Sequence, residues 1–148
     1  MAIGHKIGFG FPISDKLKAP YAAVSVGYLV SSAEDMCNYM LTYLHNGYFK
    51  GNSIIPNNEK PETTDKSGLM NYNTYWSIQS TDVIGHAGAT PDFNTNMIIY
   101  SSTKYRIIVL ANSKNDMVAS VTHISQGIDS ILNGYDAIVI SDKKFSFE

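Results

Sequence analysis

The sequence predicts an α+β fold built on an antiparallel sheet, and three features carry that prediction. Apolar residues recur at three- and four-residue spacing in two separate stretches, 31–47 and 115–134, as they do on one face of a helix. Between these stretches lie short runs, "TYWSIQ", "DVIGHAG", "NTNMIIY" and "YRIIVLAN", that suit half-buried strands. Ser80-Thr81 separates the first two runs and "SSTK" the last two, so the links fit two successive hairpins and a three- or four-stranded meander. At 148 residues the chain suits one domain, and a domain of that size buries roughly 70% of the surface it exposes when unfolded.

Taken in order, residues 1–30 are rich in Gly and Pro ("IGFGFPI", "KAPY") and read as extended irregular chain with short strands at most. "SSAEDMCNYMLTYLHNG" then opens with Ser31 and Ser32 as competing N-caps. Glu34 and Asp35 complete a capping box and favour the positive helix end, and Asn46-Gly47 closes the helix. Its stripe of Ala33, Met36, Cys37, Met40, Leu41 and Leu44 faces a core.

Residues 48–70 form a polar connection, and strands begin at Tyr72. A second helix follows the meander, with Asn115 or Asp116 as its cap. It carries Val118, Val121, Ile124, Ile128, Ile131 and Leu132 on one side and ends at Asn133-Gly134. Residues 135–148 are a separate tail whose apolar run "AIVIS" is compatible with an added strand.

Composition excludes several functions. The net charge is -2 and the 11 Lys and Arg residues are scattered, so the electrostatic footprint of a nucleic-acid binder is missing. Cys37 is the only cysteine, which rules out an internal disulfide and a cysteine-based metal cluster. His5, His45, His86 and His123 share no metal-ligand spacing, so neither metal nor cofactor is expected. The longest apolar runs fall far short of the roughly 20 residues that cross a bilayer.

One stretch asks for a chemical explanation. In "VIGHAGATPDF", residues 83–93, His86 ends a strand on which Gly85, Ala87, Gly88 and Ala89 carry almost no side chain. Such a strand lets another backbone approach and use its N–H and C=O groups, as a strand that binds an extended acyl substrate must. A structural histidine closing a hairpin is the plainer alternative.

"GYLVSSAEDMCNYMLTYLHNG", a Tyr-Trp segment and "GHAGATPDFNTNMIIYSSTKYRIIVLANS" together, in that order, resemble the C-terminal half of the serine β-lactamase-like and penicillin-binding-protein family, in the branch related to class C β-lactamases. The resemblance runs from about Ala2 to Gly134. It implies a partial β-lactamase/transpeptidase-like fold, with the C-terminal helix packed on one sheet face and residues 31–47 as a helix from the family's helical region. The family uses a Ser-x-x-Lys nucleophile and base, a Tyr-x-Asn or Ser-x-Asn group, and a Lys-Thr-Gly or His-x-Gly strand.

Carried over, His86-Ala87-Gly88 is the third element. His86 would orient the acyl-transfer groups and help hold a substrate carboxylate, Ala87 and Gly88 would line the substrate, and the Ala89 N–H would form half of the oxyanion hole. Removing such a donor raises a barrier by about 3–4 kcal/mol.

Three serine motifs compete for a catalytic role. Ser101-Ser102-Thr103-Lys104 and Ser141-Asp142-Lys143-Lys144 both satisfy Ser-x-x-Lys, but neither opens a helix. Ser113-Lys114-Asn115 satisfies Ser-x-Asn, yet it follows a strand directly and reads as loop and capping chemistry. The expectation is therefore a C-terminal piece, residues 1–134, of a hydrolase acting on β-lactams, D-amino-acid peptides or esters. Alone it is expected to be inert, and to meet its substrate through the missing N-terminal half. An exposed strand edge suggests homo-oligomers or a strand-swapped dimer, and a non-catalytic peptide-binding or assembly module is the alternative. For the full-length parent, the resemblance implies a place outside the cytoplasm or in the cell envelope.

Overall fold

The helical spacing at 31–47 becomes α1 (Ala33–Leu44), in a computed structural model that describes residues 2–9, 11–15, 22, 27–56, 71–73, 76–114 and 119–136. Of the two serines competing to cap it, Ser32 prevails. Its backbone is extended, its Oγ accepts the Asp35 N–H at 3.0 Å, and its hydroxyl donates to the Asp35 carboxylate at 2.8 Å. The helix stops where Asn46 and Gly47 take positive φ, with the Gly47 N–H returning to the Thr42 carbonyl.

The strands are β1 (Gly4–Gly8), β2 (Phe11–Asp15), β3 (Tyr48–Phe49), β4 (Asn52–Ser53), β5 (Asn71–Asn73), β6 (Trp76–Ile78), β7 (Val83–Ala89), β8 (Asn94–Tyr100), β9 (Arg106–Ala111) and β10 (Ser113–Lys114). The second helix, α2 (Ala119–Leu132), ends at Gly134, which has positive φ. Among the described residues the main sheet has five strands in the order β5-β6-β7-β8-β9, antiparallel throughout. β1 and β2 form a hairpin whose first strand lies parallel to β10, and β3 and β4 form a two-residue ladder.

The α+β expectation with an antiparallel sheet therefore holds, and the meander has one strand more than its upper estimate. β5 hides in the polar triplet Asn-Tyr-Asn, which gives no apolar alternation to read.

Register decides which side chains share a face. Ile84 pairs with Ile99, His86 with Met97 and Gly88 with Thr95, while Ile99 and Met97 pair onward with Arg106 and Ile108. α1 covers this face. Met40 is fully buried in a cluster with Trp76, Ile84 and Ile99, and the Arg106 Nε donates to the Cys37 carbonyl at 3.0 Å. Burying each of these apolar side chains is worth roughly 1.5–3 kcal/mol.

The other face belongs to α2. Val121, Ile98 and Ile107 are buried there, and the Asn96 Nδ2 donates to the buried Ser125 Oγ at 2.9 Å. Two expectations about the helices need correction. Ala33 is exposed at the start of α1 while Tyr43 packs on the core, because the helix meets the sheet mainly through its second half. Along α2, Ile124, Ile128, Ile131 and Leu132 remain exposed, and Val121 and Ser125 face the sheet instead. Val118, the Asn115 and Asp116 caps, the Ser141 motif and the tail from 137 lie outside the described residues.

Candidate functional site

Strand β7 holds every residue singled out in the sequence for acyl chemistry, and its hydrogen-bond parity fixes what each can do. Ser77 pairs with Gly85, and the Gln79 N–H reaches the Val83 carbonyl at 2.9 Å, so the odd-numbered residues of β7 aim their N–H and C=O groups at β6. On the other side the Ser101 N–H reaches the Asp82 carbonyl at 2.9 Å, so the even-numbered residues aim theirs at β8.

Among the described residues, pairing with β6 stops at Gly85, whereas pairing with β8 continues to Ala89. The backbone groups of Ala87 and Ala89 consequently point to the edge beyond the last described β6 pair, and both alanines are exposed. Among the described residues this is a short open edge at the end of an interior strand, and Tyr75, next in register on the β6 side, lies outside them.

His86 and Gly88 play a different part from the alanines. Their backbones are turned toward β8, and their side-chain positions lie on the α1 face, where His86 is partly buried. One step past the last β6 pair, Trp76 stands level with His86 on that face, with its ring 4.9 Å from that of Tyr43 in an edge contact. The Trp76 Nε1 is buried and has no hydrogen-bond partner among the described residues. A buried donor left so costs about 1–3 kcal/mol.

The small residues also answer to packing. A Cβ on Gly85 would come within 3.0 Å of the Met97 carbonyl oxygen, and one on Gly88 within 2.9 Å of the Thr95 Oγ1. Substrate access is thus not the only reason for glycine at these positions.

Beyond Ala89 the chain turns tightly. The Thr90 N–H donates to the Phe93 carbonyl at 2.9 Å, and the Thr90 hydroxyl accepts the Phe93 N–H at 3.1 Å. Asp92, in this turn, is buried, and its side chain lies against the backbone of Gly4, which seats β1 beside the end of β7. The next residue of β1, His5, is held elsewhere: its N–H donates to the Asn112 carbonyl at 2.9 Å.

The competing serine motif is at the wrong end. Ser101 to Lys104 form the β8–β9 turn, where the Ser102 N–H and hydroxyl are both held by the Asp82 carboxylate, at 2.6 and 2.7 Å. Val83 faces Tyr100, so this turn lies at the start of β7. Six residues of strand, roughly 20 Å at 3.3 Å each, separate it from Ala89. Ser113 and Lys114 belong to β10 and pair with β1.

Among the described residues no group of three His, Cys, Asp or Glu is placed to hold a metal ion, and no helix is long and apolar enough to cross a membrane. No family model matches the sequence, and no curated protein matches it either.

Proposed function

We propose that this chain supplies the substrate strand of a β-lactamase-like serine acyl hydrolase, with the nucleophile and its base coming from a segment outside these 148 residues. The observation that carries the reading is the parity of β7. The outward groups of Ala87 and Ala89 lie two residues apart, the spacing at which an extended peptide adds to a strand. In this reading the substrate backbone pairs with Ala87, and the Ala89 N–H donates to the acyl oxygen as negative charge develops on it. His86 stands on the adjoining face, where it orients the substrate and its carboxylate. The order of motifs along the chain supports the same reading. The parent reaction is transfer of an acyl group to serine and then to water.

A non-catalytic module that captures peptides by strand addition would use the same edge. One titration tests both readings. With an N-acyl peptide ending in D-Ala-D-Ala, the amide resonances of Ala87 and Ala89 should shift saturably, and that of Gly88, turned to β8, should move less. An all-L peptide of equal length should bind at least tenfold more weakly. Equal binding of the two peptides would favour the capture module, and no shift at either alanine would remove β7 as a substrate strand.

A further inference from the structure

Gly88 and Thr95 stand opposite each other across β7 and β8, and the parity of the ladder makes them a hydrogen-bonded pair, so the Gly88 carbonyl is turned to β8. A trans peptide unit is flat, and its N–H points opposite to its C=O. The Gly88 carbonyl and the Ala89 N–H are the two ends of one such unit. Whatever grips that carbonyl from β8 therefore aims that N–H the other way, toward the edge beyond the last described β6 pair.

Thr95 grips it twice. Besides the ladder bond from its N–H, its hydroxyl donates to the Gly88 carbonyl at 3.5 Å, which is the one hydrogen bond of that hydroxyl among the described residues. The missing side chain at 88 leaves room for this, since a Cβ there would stand 2.9 Å from the Thr95 Oγ1. The peptide unit after Ala89 is also held from the β8 side, where the Thr90 N–H donates to the Phe93 carbonyl at 2.9 Å. Ala89 is thus an exposed residue set between two anchored peptide units.

We infer that Thr95 is a positioning residue for the Ala89 N–H, acting through the Gly88–Ala89 peptide. Part of the effect is geometric: a carbonyl held by two donors resists rotation of its plane, so the N–H keeps its direction before anything binds. The other part is electronic. A donor on the carbonyl draws electron density from the amide nitrogen and makes the N–H a stronger donor, and hydrogen bonds in such a chain strengthen one another by about 10–30%. As negative charge develops on an acyl oxygen at the N–H, charge also shifts onto the Gly88 oxygen, and the long contact to the Thr95 hydroxyl tightens. An oxyanion donor is worth about a hundred- to a thousandfold in rate, so a strengthening of that size amounts to roughly two- to sevenfold. The meaning for acyl transfer rests on the role proposed for Ala89, whereas the link from Thr95 to the Ala89 N–H does not.

NMR on three chains tests the inference: wild type, Thr95→Val, which keeps the branched shape and loses the hydroxyl, and Thr95→Ser, which keeps the hydroxyl and loses the methyl. In Thr95→Val the Gly88 carbonyl carbon and Ala89 amide nitrogen resonances should move upfield, and in Thr95→Ser they should stay near wild type. The N-acyl peptide ending in D-Ala-D-Ala should bind Thr95→Val roughly two- to sevenfold more weakly than wild type, and Thr95→Ser about as well as wild type. A packing role would give the reverse order, because valine fills the place of threonine better than serine does, and that order overturns the inference. So do unchanged Gly88 and Ala89 resonances in Thr95→Val, even where the peptide binds. Resonances that move as expected in a chain that binds no peptide uphold the inference and remove the proposed function instead.

Discussion

At position 88 a single missing methyl group separates two explanations that the sequence leaves fused. A β-carbon there would stand 2.9 Å from the Thr95 Oγ1, so a cross-strand neighbour disfavours a side chain at 88 whatever binds outside. Overpacking of this kind costs about 1–3 kcal/mol. Gly88→Ala should therefore lower the melting temperature, and Gly88→Ala with Thr95→Ala should recover most of the loss. A single variant as stable as wild type would show that Thr95 turns aside freely. Ala89 is different in kind: the role proposed for it lies in an N–H whose direction follows from strand parity, and no property of the alanine side chain announces it.

Among elements, the joint between α2 and the start of β9 is polar, and pH should reveal it. The Tyr105 hydroxyl donates to the Asp129 carboxylate, which also accepts from the Asn133 Nδ2 at 3.0 Å, and the Tyr100 and Tyr105 rings lie 4.5 Å apart. Burial first, and then the charge of Asp129, hold the Tyr100 phenol well above its ordinary value of 10.0. The Tyr105 phenol is raised as well, by burial and then by its hydrogen bond to Asp129. A proton held more tightly in the folded chain than in the unfolded one adds stability that is fully present below about pH 10 and is lost as the pH rises beyond it. Thermal melts between about pH 9 and 12 should thus show a fall in stability that is shallower in Tyr100→Phe. Parallel curves for variant and wild type would mean that Tyr100 ionises alike in both states.

For the molecule as a whole, the placement of the serine motifs governs the expected activity. Ser101 lies about 20 Å from Ala89 by strand rise, and its neighbour Ser102 is committed to Asp82 through both backbone and hydroxyl. The purified chain should neither hydrolyse a chromogenic cephalosporin nor be labelled by a fluorescent penicillin. Stoichiometric labelling of any serine, read by mass spectrometry, would contradict this and give the chain a nucleophile of its own.

The sequence by itself determined α1 and α2, the β6–β7 and β8–β9 hairpins and the strand that carries His86. These depend on local signals: spacing for Met40 and Leu44, a cap at Ser32, positive-φ residues at Asn46, Gly47 and Gly134, and alternation in β8. It could not show β5, whose polar triplet has no period, nor that Ile124 and Ile131 would stay exposed. For the site, the small residues of "GHAGA" were legible as a motif, but their division of labour was not. Only tertiary structure decided that Ala87 and Ala89 face the edge beyond the last described β6 pair while Gly88 is turned to β8. That outcome depends on where β6 ends and how β8 is registered, and both are pairings between residues distant in the chain.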